Sequence, residues 1–292
     1  MANQAETRLI AGCGYLGRRV AEQWRSSGCD VVALTRSPER AEDFQRGGLT
    51  PVVTNLASDT DQQSLPSAEV VLWAVGFDRT TGMAREDIWL VGLERLLNRL
   101  PSAPRRLLYV SSTSVYGQDD GQTIDELTPP DPKTDGGRCC VEAEQLVRKH
   151  CSRLFPSTQV VILRLAGIFG PGRLLRRVSD LQTQKPLPVE PDQWLNLIHV
   201  QDAVRMIDLV SSAAAVPPVI NVVNSGNVTR RQYYTRLAEL VSAPAPVFES
   251  GANSARRRGG NKRVVSRYRG DLNVAFEYDD VLAGLKQSVT AD

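Results

Sequence analysis

Cysteine and histidine are scarce in this chain of 292 residues, and neither is spaced to build a framework. The five cysteines are Cys13, Cys29, Cys139, Cys140 and Cys151, an odd number with no Cys-x-x-Cys pair. That pattern argues against a disulfide scaffold or a zinc cluster and for a reducing compartment, the cytoplasm. With only two histidines, His150 and His199, no metal site is expected. Long apolar runs are also missing. The longest, Val70 to Val75, is about six residues, against the ~20 that a membrane-spanning helix requires. The N-terminus lacks a basic segment followed by an apolar stretch and a small-residue cleavage site, so no secretory leader is expected. Nor is there a charge excess of one sign. Basic and acidic residues number 35 and 33, for a net charge of +2, which argues against nucleic acid as a partner. What is present is ordinary: 41 % hydrophobic and 23 % charged residues, enough for a sizeable buried core.

The first half alternates short apolar runs with amphipathic stretches. Strands are predicted at Arg8–Ala11, Val31–Leu34, Pro51–Thr54, Glu69–Ala74, Leu107–Val110 and Val160–Leu165. Between them the periodicity predicts helices over Leu16–Ser27, Pro38–Arg46, Arg85–Leu100 and about Gly137–Leu154. Leu16, Val20 and Trp24 share one face of the first helix. Ile88, Val91, Leu96 and Leu97 supply the apolar positions of the third. Such alternation predicts an α/β fold, a doubly wound parallel sheet covered on both faces. After Gly170 the rhythm breaks. Prolines at 171, 186, 188 and 191 cut the chain into short pieces. Helices at about Val200–Ser211 and Thr229–Val241 surround a short strand at Val219–Val223. The division expected is 1–170 for the main domain and 171–292 for a smaller lobe interleaved with its last elements.

The strongest local motif is "LIAGCGYLGRRVA", in which Gly12, Gly14 and Gly17 form Gly-x-Gly-x-x-Gly. It follows a predicted strand and opens a predicted helix, the context that a dinucleotide-binding loop requires. Gly12 permits the tight turn, Gly14 the approach of a pyrophosphate, and Gly17 the close packing of helix on strand. With Tyr15 and Leu16 these residues form a candidate cofactor site, the pyrophosphate lying on the helix N-terminus. At the end of the second predicted strand an NAD site usually places an acid against the ribose 2′-hydroxyl. Here Thr35 stands 18 positions after Gly17, and Arg36 follows. A neutral residue followed by a guanidinium suits a 2′-phosphate, so NADP is expected, with NAD as the alternative.

Four segments together resemble the short-chain dehydrogenase/reductase superfamily, in its extended and atypical branch of NAD-dependent epimerases and dehydratases: "GCGYLG", "LLYVSSTSVYG", "ILRLAGIFGPGR" and "LNLIHVQDA". They recur along most of the chain. The resemblance implies a Rossmann domain with a small C-terminal substrate lobe, and a small-molecule substrate, phosphorylated or nucleotide-linked. It implies that Ser112 is the catalytic hydroxyl that hydrogen-bonds the reacting oxygen. By the same likeness Ala74, Val75 and Gly76 pass under the adenosine and nicotinamide ribose. Asn55 and Leu56 flank the adenine, and Leu165, Ala166, Gly167 and Ile168 lie beside the nicotinamide. The helices Arg85–Leu100 and Gly137–Leu154 correspond to a common dimer face of the family, so a homodimer is a candidate assembly.

One departure stands out. The family carries Tyr-x-x-x-Lys at the start of the helix after "VYG", and no Tyr-x-x-x-Lys occurs in this chain. Aligned through "GRCCVEAEQ", Gly136 takes the tyrosine position and Cys140 the lysine position. A glycine supplies no proton, and a thiol no fixed positive charge. General acid–base catalysis contributes about 10²–10⁴-fold, so the usual relay is incomplete. Cys140 should share a side with Gly136 and line the cofactor pocket, whereas Cys139 shares a face with Ala143, Leu146 and Val147 and reads as core. Tyr116 is a weaker catalytic candidate. His199 reads first as a structural or pocket-wall residue, and His150 as a residue near a helix C-terminus without a chemical role. Arg256, Arg257, Arg258, Lys262, Arg263, Arg267 and Arg269 fall within 14 residues that contain no acid. That stretch is a solvated loop, an anion site or, with only Tyr268 there to stack on bases, a nucleic-acid contact. Two functions remain in view: an NADP-dependent oxidoreductase or epimerase, and a catalytically silent dinucleotide-binding sensor or scaffold.

Overall fold

The computed structural model describes residues 5–58, 64–78, 80, 82–174, 178–249 and 260–290. Its elements run, in chain order, β1 (Thr7–Ala11), α1 (Tyr15–Ser26), β2 (Asp30–Thr35), α2 (Pro38–Arg46), β3 (Thr50–Val53), β4 (Val70–Trp73), a π-helical turn (Asp87–Val91), α3 (Gly92–Asn98) and β5 (Arg106–Ser112). There follow β6 (Thr123–Ile124), α4 (Asp135–Leu154), β7 (Gln159–Leu165), β8 (Gly167–Phe169), α5 (Val178–Gln182), β9 (Trp194–Leu195), β10 (Leu197–His199) and α6 (Val200–Ser212). The chain continues through β11 (Val219–Val222), β12 (Val228–Thr229), α7 (Arg230–Leu240), β13 (Arg263–Val264) and α8 (Val281–Thr290).

Seven strands form one sheet in the order β11-β7-β5-β4-β1-β2-β3. β1 lies parallel to both β2 and β4, with Leu9 opposite Val32 on one side and Val71 on the other. β4 pairs in parallel with β5, and β2 with β3. The order reverses at β1, whose C-terminal end carries the glycine loop. That reversal is the topological switch point at which doubly wound sheets bind their ligands. The parallel α/β architecture is the one that the alternation predicts.

The chain divides into two compact units. The first comprises Met1–Ser112, Asp135–Leu163 and Met206–Val219. Its core joins the sheet residues Leu9, Val32, Val71, Trp73, Leu107, Tyr109 and Ile162 to the helix residues Leu93, Leu96, Leu97, Ala143 and Val147. α1 buries Leu16, Val20 and Trp24 as its periodicity demands, together with Gly17 and Ala21. The guanidinium of Arg8 lies 4.9 Å from the Trp24 ring and pairs with Glu6 at 2.6 Å. Ser37 caps α2, its hydroxyl accepting from the Arg40 N–H at 3.1 Å, with Pro38 opening the first turn.

The third helix differs from its expected form. Residues 87–91 form a π turn, and none of them is buried. The extra residue in that turn shifts the helical phase, so Gly92, Leu93, Leu96 and Leu97 face the core. Val91, expected inside, is 37 % exposed. Gly92 packs against the Trp73 indole, 3.6 Å from where a Cβ would stand, an ordinary contact distance.

The second unit comprises Thr113–Thr134, Arg164–Arg205 and Ile220–Asp292. It has a separate core of Phe169, Leu174, Leu181, Leu187, Leu197, Val228, Tyr233, Tyr234, Leu237 and Leu285. Its strands pair off in short two-stranded pieces, β8 with β10, β9 with β12 and β6 with β13. Thr229 and Gln232 form a reciprocal capping box at the start of α7.

Candidate dinucleotide-binding site

The glycine loop of the first unit is shaped by two positions that admit no side chain. Gly12 has φ +93°, and a Cβ there would lie 2.4 Å from the carbonyl carbon of Ala74. A Cβ on Gly17 would lie 2.3 Å from the Gly12 carbonyl oxygen. Real Cβ atoms do not approach so closely, so these glycines are required by packing. Gly14 and Gly76 differ: a Cβ on either meets nothing within 4 Å. The backbone at Gly14 therefore borders open space at the N-terminus of α1. No side chain caps that terminus, and its first turn carries no acid. A cradle with free room at the positive end of a helix fits a dinucleotide pyrophosphate. The loop and the Ala74–Gly76 segment, matched separately in the sequence, are brought into direct contact through Gly12.

Thr35 ends β2 and is buried, its hydroxyl oxygen accepting from the Ser37 N–H at 3.2 Å. Arg36 is exposed and reaches the Met83 sulfur at 3.9 Å. Sequence reasoning passed over Arg40. Its guanidinium donates to the Cys13 carbonyl at 2.7 Å and lies 5.5 Å from the Phe44 ring. A cation four residues after Arg36, one helical turn on, was the available signal. Two arginines thus flank the end of β2, one of them tied to the glycine loop, and no acid stands at that strand end. Asn55 and Leu56 follow β3. The Asn55 side chain accepts from the Ala57 N–H at 3.1 Å, and the Leu56 carbonyl accepts from Arg95 at 3.3 Å.

Ser112 closes β5 and is half-buried. Its neighbour Ser111 donates to Glu144 of α4 at 2.6 Å in a buried contact. Sequence reasoning missed Glu144, a carboxylate bolted to the strand end by a partner 33 residues away. Gly136 lies in the first turn of α4, and the Arg85 guanidinium carbon stands 3.6 Å from where its Cβ would be. Cys140 is 4 % exposed and close enough to Tyr109 to help burial raise that hydroxyl's pKa. Cys139, Ala143 and Val147 are buried as a face, and desolvation pushes the Cys139 thiol up to about 12. Leu165 and Ala166 are buried, Gly167 is exposed and Ile168 half-buried. These four are described by the second unit alone, where β8 pairs with β10.

Two further residues of the second unit are committed to structure. Tyr116 is 1 % exposed; its hydroxyl donates to Asn221 at 3.0 Å and accepts from Arg164 at 2.9 Å. Burial raises its pKa despite the Arg164 charge. His199 is fully buried between Phe169 and Tyr278, its ring 3.1 Å from the Gln287 side chain. The buried Asp202 carboxylate accepts from the backbone N–H groups of Glu277 and Tyr278 at 2.7 and 3.0 Å. The "HVQDA" segment thus anchors the chain around residue 278. In the basic stretch, Arg267 pairs with Asp125 at 3.0 Å and Arg269 with Asp279 at 2.6 Å. Arg256, Arg257 and Arg258 lie outside the described residues.

Among the described residues no group of three or more His, Cys, Asp or Glu is placed to hold a metal ion. None of the five cysteines forms a disulfide. No helix among the described residues is long and apolar enough to cross a membrane.

Comparison with known proteins agrees with this geometry. Protein YeeZ of Escherichia coli strain K12 is 27 % identical over 285 residues, covering 94 % of this chain and 96 % of that protein. A functionally unknown conserved protein from Silicibacter pomeroyi superposes with a TM-score of 0.75 at 25 % identity, over 98 % of this chain and 99 % of that one. MoeE5, solved in complex with UDP-glucose and NAD, shares the fold with a TM-score of 0.78 at 22 % identity, over 98 % of each chain. The sequence profile of the NAD dependent epimerase/dehydratase family matches residues 9–223. With the glycine cradle at the switch point of a seven-stranded sheet, that match over most of the chain establishes that the protein belongs to the NAD dependent epimerase/dehydratase family.

Proposed function

We propose that the chain binds NADP in the glycine cradle and acts as an oxidoreductase or epimerase. Its substrate would be a carbonyl or alcohol on a phosphorylated or nucleotide-sugar-like molecule. One observation carries the reading above the others: Gly12 and Gly17 have no room for a Cβ, whereas Gly14 and Gly76 border open space. Gly12, Gly14, Tyr15, Leu16 and Gly17 would hold the pyrophosphate. Arg36 and Arg40 would pair with the 2′-phosphate beside Thr35, Asn55 and Leu56 would flank the adenine, and Ala74, Val75 and Gly76 would underlie the ribose. Cys140 and the segment Leu165–Ile168 are assigned to the cofactor by family resemblance alone. When bound, the cofactor supplies hydride chemistry at C4 of its nicotinamide. Ser112 then donates a hydrogen bond to the reacting oxygen. Because Gly136 carries no side chain, the proton exchanges with water. A homodimer working in the cytoplasm, with residues 171–292 shaping the substrate lobe, completes the proposal.

The test is a fluorescence titration with NADPH and NADH. Arg36→Ala should weaken NADPH roughly tenfold or more, the worth of a charge-assisted hydrogen bond, and leave NADH unchanged. Equal losses for both, or tighter NADH binding by the unaltered chain, would overturn the NADP assignment. In a turnover screen with aldehydes, ketones and nucleotide sugars, Ser112→Ala should abolish most activity. A second reading, a silent dinucleotide sensor, is favoured by Gly136 and Cys140 at the relay positions. Turnover of any physiological substrate at ordinary enzyme rates would exclude it.

A further inference from the structure

We infer that Arg85, clamped by Phe77 and Trp89 against Gly136, receives a negatively charged oxygen of the substrate where other family members present their tyrosine. The inference rests on the reading above and names the substrate class, a carboxylate- or phosphate-bearing molecule. Four residues of the first unit build this subsite. The Arg85 guanidinium carbon lies 4.6 Å from the Phe77 ring centre and 5.5 Å from that of Trp89. The two rings meet edge to face, with centroids 6.2 Å apart at 72°. On the helix side, a Cβ on Gly136 would stand 3.6 Å from Cζ, 3.7 Å from Nη1 and 3.8 Å from Nε of Arg85. Because Cζ is the nearest of the three, Gly136 lies over the flat face of the guanidinium rather than at its edge. The start of α4 is therefore a platform for the arginine plane, and a larger side chain at 136 begins in contact with it.

Among the described residues the charge held there has no counter-ion: Arg85 makes no ion pair. Its Nε and the Trp89 indole Nε1 are both buried without a hydrogen-bond acceptor. A purely structural arginine is ordinarily paired with a carboxylate or carbonyl, because burying a donor without an acceptor costs stability. Aromatic faces offset part of that cost through cation–π attraction, yet leave the guanidinium edge free to form a fork with an anion. Arg85 is half-buried, so part of it remains open to solvent. An arginine cannot replace the tyrosine as an acid or base, since it stays charged at every relevant pH. It can replace both the tyrosine's hydrogen-bond donor and the lysine's fixed charge. The glycine that removes the one residue makes the space that the other occupies.

Trp89 lies beside the guanidinium and serves as a reporter. The experiment titrates the full chain with sodium phosphate and with sodium acetate at constant ionic strength, chloride serving as control, and follows tryptophan fluorescence. The expected result is a saturable change with at least one of the two oxyanions and none with chloride. The anion that saturates at lower concentration separates a phosphate-bearing substrate from a carboxylate-bearing one. Arg85→Gln should weaken the response roughly tenfold or more, and Arg85→Lys by an intermediate factor. Gly136→Leu, which leaves Arg85 in the chain but crowds its face, should weaken it independently. No oxyanion-specific change up to 50 mM in the unaltered chain, or an equal response in Arg85→Gln, would overturn the inference. NADPH binding is read separately in the same samples. Binding of NADPH without an anion response defeats this inference alone. An anion response without NADPH binding defeats the dinucleotide reading alone.

Discussion

Two alanine substitutions in the glycine loop separate what the fold needs from what a ligand needs. Gly17→Ala places a methyl group 2.3 Å from the Gly12 carbonyl oxygen and 3.3 Å from Ile10 Cγ2. An ordinary contact is nearer 3.4 Å, so α1 must retreat about 1 Å from the loop or the loop must distort. Overpacking of that kind typically costs about 1–3 kcal/mol, a fall in Tm of roughly 2–12 °C for a domain of this size. Gly14→Ala meets nothing within 4 Å. With nothing to displace, the change should cost clearly less stability than Gly17→Ala. It nevertheless puts a methyl group in the open space where a pyrophosphate would lie. The expected outcome is opposite behaviour in two assays: Gly17→Ala lowers the melting temperature, while Gly14→Ala keeps it and loses NADPH affinity by roughly tenfold or more. Circular dichroism melting and NADPH fluorescence measure the two quantities on the same preparations. If Gly14→Ala melts as early as Gly17→Ala, or binds NADPH as well as the unaltered chain, the division between packing glycine and ligand glycine is wrong.

Three other outcomes follow from buried groups. Tyr116→Phe removes the acceptor of the Arg164 contact at 2.9 Å and the donor to Asn221 at 3.0 Å. It should cost about 1–3 kcal/mol in urea unfolding while leaving turnover within a few-fold; a collapse of activity in a stably folded variant would restore Tyr116 as a catalytic candidate. Burial pulls the Lys262 ammonium down to about 8, against the attraction of Asp119. Between pH 8 and about 10.4 the unfolded chain then binds more protons than the folded one, so this residue's contribution to stability rises with pH, by at most roughly 3 kcal/mol. The penalty is full below pH 8, and Lys262→Met should flatten that part of the pH–stability curve; an unchanged slope counts against it. Burial pushes the thiols of Cys13 and Cys151 up to about 11 and that of Cys139 up to about 12. Burial raises the Cys29 thiol as well, but it is the one cysteine that is not fully buried. Iodoacetamide at pH 7.5 should label it first in the folded protein, and mass spectrometry showing Cys139 modified ahead of it would contradict the packing of α4.

The alternation of strands and helices, the helix faces and the glycine loop were legible in the residues alone, because each depends on neighbours a few positions apart. Leu16, Val20 and Trp24 repeat at helical spacing and are buried. Gly12, Gly14 and Gly17 turn the chain from strand to helix within one motif. The short strands of the second unit were not legible. Pairs such as β6 with β13 join residues 140 apart and carry too few residues to show a period. Helical phase was lost at the π turn, where one additional residue exchanges Val91 for Leu93 in the core. The chemistry of the site depends still more on distant pairs. Arg40 meets Cys13 across 27 positions, Ser111 meets Glu144 across 33, and Arg85 meets Gly136 across 51. The sequence by itself determined the sheet, the loop and the absence of any Tyr-x-x-x-Lys. Only the tertiary structure decided that the Arg85 guanidinium, flanked by two aromatic rings, lies against Gly136. A glycine is visible as a letter, but what packs against it depends on which other segment the fold brings there.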